Sequence, residues 1–458
     1  MDRMNAAPSD ATELAGNIAS GAISARGAMT LALTHATACG NLGAISWQNA
    51  GAAELSATGA GPFAGVPLLV KDLGGPFAGI PLRLGSAAFA GDAGLGDSDL
   101  AARFRAAGFV AFGATTVPEL GLSLASEPVV GPVCRNPLNP ALSPGGSSGG
   151  AAAAVAAGIV PLAHATDAGG SIRVPAAACG LVGLKPSLGA MPGGPGFGNA
   201  LGGIASEFAV TRSLRDARAL WPCLAGQARG PVPDPAQLPE GVGLTIGLVA
   251  DTDDIVPDRQ AVLAEAARTL EAAGHKVIDL SARQLAPIRS ICDRVFDTYV
   301  SVNLAAAFAE DPVPDLVEPL TRAFLARGRA IGAPQLWNMM TEATQASHAL
   351  WRIFDQVDIL LTPMLASAPL PLGSFPTDHA DVDLHLSRMS AFAPYATLAN
   401  VTGAPALTLP FGADAEGLPL PVQLIAPMGG DLRLLALADA LECEGRWQHP
   451  FPVFGGPR

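Results

Sequence analysis

Apolar positions along this chain follow two periods. Residues 9 to about 39 carry helical spacing with little proline and predict N-terminal helices packed on the outside of a core. The uninterrupted run VPLLV, starting at Val66, predicts a buried strand that delivers Lys71 at its C-terminal end, the edge of an open α/β sheet where active sites form. Residues 101–107 read as a helix and FVAFGATT (109–116) as the next strand. An alanine-rich helix is predicted from Gly149 to about Ala157, a strand over IVPLAHAT (159–166), and a helix beginning in RVPAAAC (173–179). The segment 226–243, rich in Pro and Gly, reads as a linker or long surface connection. LTIGLVA, a helix over 257–273 and HKVIDL form a further βαβ unit, and residues 283–356 are mostly helical. DILLTP, ALTLP and VQLIA return as strands, and a helix over 431–442 closes the chain. This rhythm predicts an α/β protein on a mixed or parallel sheet.

At 458 residues the chain can bury a large core. No run reaches the roughly 18 apolar residues that cross a bilayer, and MDRMNAAPSD lacks the pattern of a secretory signal, so a cytoplasmic location is expected. The net charge of −13 disfavours autonomous binding to nucleic acid or to anionic membranes. The six cysteines show no CxxC spacing and read as buried, reduced thiols, and the seven histidines form no metal-binding pairs. No cofactor is implied.

The candidate chemistry lies between residues 143 and 186, in SPGGSSGGAAAAVAAGIVPLAHATDAGGSIRVPAAACGLVGLKP. Ser147 and Ser171 each sit on a glycine-rich turn, where the backbone can leave N–H groups pointing at whatever approaches the hydroxyl. Of the 27 basic residues only Lys71, Lys185 and Lys276 are lysines. A desolvated lysine can lose its proton, which a guanidinium cannot, so a retained lysine is a candidate base. Gly145-x-Ser147-x-Gly149 also satisfies a nucleophile-elbow pattern, but NPLNPALSP before it is too proline-rich for the strand that motif requires. Taken alone, Ser171 reads more readily as a helix N-cap than as a nucleophile.

These residues resemble the amidase signature family of serine hydrolases. GGSSGG (145–150), TDAGGSIRVPA (166–176) and CGLVGLKP (179–186) follow that family's central block in order and spacing. GVPLLVKD (65–72), GATTVPELG (113–121) and the segment 400–427 are similar to further family segments. The resemblance implies an α/β/α sandwich around a large mixed β-sheet, as one domain over 1–458. Within it come N-terminal helices at about 9–40, a core motif region at about 61–225 and a more variable, helical substrate side at about 283–356. It implies a Ser-cisSer-Lys triad: Ser171 attacks the amide carbonyl, Ser147, on a cis peptide after Gly146, relays protons, and Lys71 is the base. The backbone N–H groups of Ala168, Gly169, Gly170 and Ser171 are the expected oxyanion hole. Ser148 and Thr166 are expected to hydrogen-bond within the serine turns. Asp167 and Arg173 either hold the nucleophile's turn or form an ordinary structural ion pair. Lys185 is expected to be structural, and Glu119 a buried anchor or helix cap.

The expected reaction is cleavage of a linear or cyclic carboxylic amide to acid and amine, with a small-molecule amide as the partner and homodimerisation left open. Two rivals are a glutamine-hydrolysing subunit of an amidotransferase and a non-catalytic binding homologue. Retention of Lys71, Ser147 and Ser171 together counts against the second. This chain reads AHATDAGGS where relatives have LGTDTGGS, and Lys185-Pro186-Ser187 where they have KPT, which leaves the substrate open. Pocket walls are expected from 190–206, 290–345 and 370–396, with Phe296, Phe324, Trp337 and Phe392 as apolar candidates.

Overall fold

The strand-forming runs assemble into a single mixed sheet. The computed structural model describes residues 9–55, 60–89, 91, 93–194, 200–226, 243–253, 255–309 and 315–455. Its strands are β1 (Ile45–Gln48), β2 (Pro67–Lys71), β3 (Val110–Thr115), β4 (Leu162–Asp167), β5 (Val182–Lys185) and β6 (Ser206–Thr211). They continue with β7 (Thr245–Leu248), β8 (Lys276–Asp279), β9 (Ile359–Pro363), β10 (Ala406–Ala413) and β11 (Pro419–Ile425). Their order is β1-β3-β2-β4-β6-β5-β10-β11-β9-β7-β8. β2 runs parallel to β3 and β4, and β7 parallel to β8 and β9, while the remaining pairs are antiparallel.

Strands β2, β3, β4, β5, β6 and β9 are buried at every position, which requires cover on both faces. Helices Gly149–Ala156, Arg173–Cys179, Leu214–Leu224, Pro257–Ala272 and Asp431–Glu442 supply it. The result is the α/β sandwich on a large mixed sheet that the sequence predicted. Helices Ala11–Ala19 and Ala25–Ala38 lie where helical spacing placed them.

Some elements escaped the hydrophobic pattern. β6 reads SEFAVT, and its buried Ser206 and Glu207 masked it. β4 starts only at Leu162, because Pro161 carries no N–H for the ladder. Residues 282–354 resolve into three helices, Ala282–Ala307, Pro319–Ala330 and Ala333–Phe354, packed around a second apolar cluster that includes Phe296, Phe324 and Leu350. Most of the expected linker, 227–242, lies outside the described residues. Of the cysteines, Cys134, Cys179 and Cys292 are buried, but Cys39 and Cys223 are half-buried and Cys443 is exposed, which corrects the uniform expectation. Among the described residues no helix is long and apolar enough to cross a membrane.

The N-terminus of helix Gly149–Ala156 is pressed against the sheet. A Cβ at Gly150 would lie 2.4 Å from Thr116 N and 2.6 Å from Ala44 O, both rigid backbone. Gly150→Ala is therefore expected to destabilise the protein by about 1–3 kcal/mol and to displace the neighbouring serine turn. Gly16→Ala, on an exposed helix face with nothing within 4 Å, is expected to stabilise by up to about 1 kcal/mol. Urea denaturation of the two variants beside the wild type checks both signs.

Candidate active site

Three segments, distant in sequence, converge at the C-terminal end of β2. Lys71 ends that strand and is buried. Its Nζ lies 2.8 Å from Ser147 Oγ, 2.8 Å from Thr166 Oγ1 and 3.4 Å from Thr166 O. The Gly146–Ser147 peptide bond is cis. Ser148 ties the two serine turns together: its N–H donates to Ser171 O at 3.3 Å and its hydroxyl to Thr166 O at 3.2 Å. Among the described residues no strand leads directly into Ser147, in keeping with the proline content of that segment, so the elbow pattern lacks its context.

Ser171 follows β4 and, with Ser147 and Thr166, lines one cavity of about 810 Å³ counted to its open mouth. Its hydroxyl makes no helix cap, since the following helix has Ile172 at that position and no side-chain cap bond. No hydrogen bond joins Ser171 Oγ to Ser147 Oγ; the two hydroxyls share the cavity instead. An apo site often holds such contacts long until substrate tightens them.

Burial drives Lys71 down to about 7, with the charges of Asp167 and Glu207 opposing the shift. Near neutral pH a large fraction of this lysine is therefore uncharged and able to accept a proton. Behind it, the Lys71 backbone N–H donates to His164 Nδ1 at 3.2 Å, so His164 carries its proton on Nε2, which faces Glu207 Oε1 at 3.2 Å. Glu207 also accepts the Gly75 N–H at 2.8 Å. The sequence reading missed this pair; the only local signals were a histidine and a glutamate, each inside a strand.

Asp167 organises the nucleophile's turn. Its carboxylate accepts the amides of Gly170 (2.8 Å) and Ile172 (3.1 Å) and the Arg173 guanidinium through Nε (2.9 Å) and Nη2 (3.0 Å). Burial pushes its pKa up, but the Arg173 charge and hydrogen bonds, the Lys185 charge and Asn400 outweigh this and hold it well below the usual carboxylate range. Arg173 is itself buried and reaches Gln423 Oε1 (2.8 Å), Ala396 O (3.0 Å) and Asn400 Oδ1 (2.6 Å). The network corrects one expectation, because the Gly170 amide serves Asp167 and not an oxyanion; the amides of Ile172 and Arg173 are engaged in the same way. The amides of Ala168, Gly169 and Ser171 have no backbone acceptor among the described residues.

Phe296 and Phe324 line the cavity, together with Leu120, Leu122, Val300 and Met389. Trp337 is instead 68 % exposed, and Phe392 is packed in a separate apolar cluster. From the glycine-dense segment Ala200 and Leu201 reach the wall, while residues 195–199 lie outside the described residues. Leu120 and Leu201 both have φ of 52°, a left-handed conformation disfavoured for leucine that the surrounding packing must hold. Glu119, next to Leu120, is the buried anchor expected: it accepts the Glu318 N–H at 2.8 Å and the hydroxyls of Ser86 and Thr321. Lys185 donates to Pro186 O at 2.7 Å and is not among the cavity's lining residues.

The chain is similar to known proteins over most of its length. The family model described as Amidase matches residues 32–435. AmiC, a candidate amidase of Mycobacterium tuberculosis (strain ATCC 25618 / H37Rv), is 33 % identical over 457 residues, covering 96 % of this chain and 95 % of that protein. The 6-aminohexanoate-cyclic-dimer hydrolase of Paenarthrobacter ureafaciens is 33 % identical over 429 residues, covering 85 % of this chain and 84 % of its own. A solved structure of 6-aminohexanoate cyclic dimer hydrolase complexed with substrate matches with a TM-score of 0.88 at 29 % identity, covering 99 % of this chain and 100 % of that one.

Asp167→Asn leaves the buried Arg173 without its counter-charge and is expected to cost about 3–5 kcal/mol of stability, measured by urea denaturation. Because the folded-state pKa of Asp167 is depressed, its contribution is fully present above the unfolded value of roughly 3.9 and is lost as pH falls below it. The stability of the wild type should therefore fall more steeply below about pH 4 than that of the Asn variant.

Proposed function

The chain belongs to the amidase signature family and is a carbon–nitrogen hydrolase acting on amides; from that premise we propose that it works through an acyl-enzyme on Ser171. The observation that carries this reading is the 2.8 Å contact of a buried Lys71, its pKa lowered to about 7, with Ser147 on the wall of the cavity that Ser171 also lines. Neutral Lys71 takes the Ser147 proton as Ser147 takes that of Ser171, and the Ser171 oxygen attacks the amide carbon. The carbonyl oxygen gains negative charge, for which the amides of Ala168, Gly169 and Ser171, without backbone acceptors among the described residues, are the proposed donors. The proton returns through Ser147 to the nitrogen, the C–N bond breaks and the amine leaves. Water then attacks the ester by the same relay and releases the acid, restoring Ser171. We read residues 1–458 as one catalytic domain and a cytoplasmic one, with a small-molecule amide as substrate.

One named relative is a 6-aminohexanoate-cyclic-dimer hydrolase, and both linear and cyclic carboxylic amides fit the reading. Among the described residues the main cavity is lined by no charged side chain. That favours an apolar acyl or aryl group and disfavours glutamine, whose ammonium and carboxylate both need partners.

Ser171→Ala is expected to reduce amide turnover by about 10⁴-fold or more with the fold intact, and a serine-reactive phosphonate should label Ser171 in the wild type, read by mass spectrometry. Labelling at Ser147 would refute the assignment.

Lys71→Arg keeps the charge but removes the titratable neutral form, so it should lose nearly as much activity as Lys71→Ala. In the wild type the single-turnover acylation rate should rise with pH through about 7 and level off above, since the deprotonated lysine is the active form. A flat profile would remove Lys71 from the role of base.

A further inference from the structure

Beside the main cavity lies a second chamber of about 500 Å³. Gly169, Phe296, Leu386 and Met389 line both spaces, so the two lie side by side. Leu124, Ala393 and Ala396 make much of the remaining surface apolar. The exceptions cluster on one side, where Asp293 stands with Ser390 and Thr397.

Asp293 projects from the long helix Ala282–Ala307. Its carboxylate accepts the Ser390 hydroxyl at 2.9 Å and the Thr397 hydroxyl at 2.6 Å. Two neutral donors fix its orientation and leave its charge without a counter-ion. Of the neighbouring cations, Arg294 pairs with Glu342 at 2.6 Å, and Arg289, one turn earlier, sits 4.7 Å above the Tyr395 ring. Across all described residues, no ion pair involves Asp293. A half-buried, oriented carboxylate facing apolar walls attracts a cation more strongly than one in bulk water, because those walls lower the local dielectric.

We propose that this chamber is a subsite for a cationic group, and that the preferred substrates are amides carrying an ammonium at the end of a short apolar spacer. The spacer buries methylene groups against Phe296, Leu386 and Met389, and the ammonium meets Asp293. This deepens the hydrolase reading above and rests on it for the position of the scissile bond at Ser171. Specificity then comes from a group that the catalytic serines never touch, and the charge-free main cavity is left to the rest of the substrate.

The test compares kcat/KM on matched anilides of graded acyl length, each made with a terminal ammonium and with a terminal methyl, and on matched amides carrying the same two ends on the amine. In wild type, one length should favour the ammonium member by roughly tenfold or more, and Asp293→Asn should bring that ratio toward one. A merely structural role for Asp293 would lower both members by the same factor and keep the ratio. No ammonium preference at any length, or a preference unchanged in Asp293→Asn, overturns the proposal. Calorimetric titration of hexylammonium into wild type and Asp293→Asn, both checked by circular dichroism, reads the subsite without turnover. Binding should be weaker in the variant, and equal affinity overturns the proposal. If neither amide is cleaved while hexylammonium binds through Asp293, the hydrolase mechanism fails and the cation subsite stands.

Discussion

The buried contact between Asp167 and Arg173 is the constraint on which the rest of this site depends. The carboxylate draws in the amides of the turn that carries Ser171, so its charge, more than the intrinsic preference of a glycine-rich turn, sets where the hydroxyl sits. The guanidinium carries that geometry outward to Gln423 on β11 and to Asn400 and Ala396 on the helix that packs beneath the cavity. Asn400 closes the network by donating back to Asp167 O at 2.9 Å. A charge pair sealed from water is worth little as a source of net stability, and its value here lies in fixing one arrangement of groups that come from far apart in the chain.

The same carboxylate restrains the lysine. Burial alone favours a neutral Lys71, and the negative charges of Asp167 and Glu207 oppose it, so the pKa settles near 7. Lys185 shows that such a shift does not by itself make a base. It too is buried and lowered to about 7, by burial first and by the Arg173 charge second. Its nitrogen donates to Pro186 O and, among the described residues, to no serine hydroxyl. Chemistry is assigned by position at the cavity wall, and the lowered pKa is only a condition for it.

The cavity belongs to no single segment. Its floor comes from the serine turns, its roof from the helices after residue 282, and one side from Leu120, held in a left-handed conformation beside the anchored Glu119. The floor is polar and wired by hydrogen bonds, while the roof is packed by dispersion and hydrophobic contact. Substitution in the roof can therefore alter the substrate without disturbing the proton relay.

Local features of the chain were enough to indicate many strands and helices of the core, the two serine turns and the retained lysine. Each of these is a pattern within a few residues: apolar runs between turn signals, glycines beside a serine, a lysine at a strand end. Asp167 and Arg173 were legible for the same reason, being six positions apart around one turn. What only the tertiary structure decided is everything that depends on distant partners. His164 and Glu207 are ordinary polar residues until the pairing of β4 with β6 brings them together behind Lys71. Asn400 and Gln423 acquire a role only through Arg173, and Asp293 only through a chamber built from three separate helices and a glycine turn. Trp337 and Phe392 show the converse, for hydrophobicity places a residue against some surface but does not say which. Hydrogen bonds and charge contacts act over a few ångströms of space, and sequence distance carries no information about them until the fold has closed.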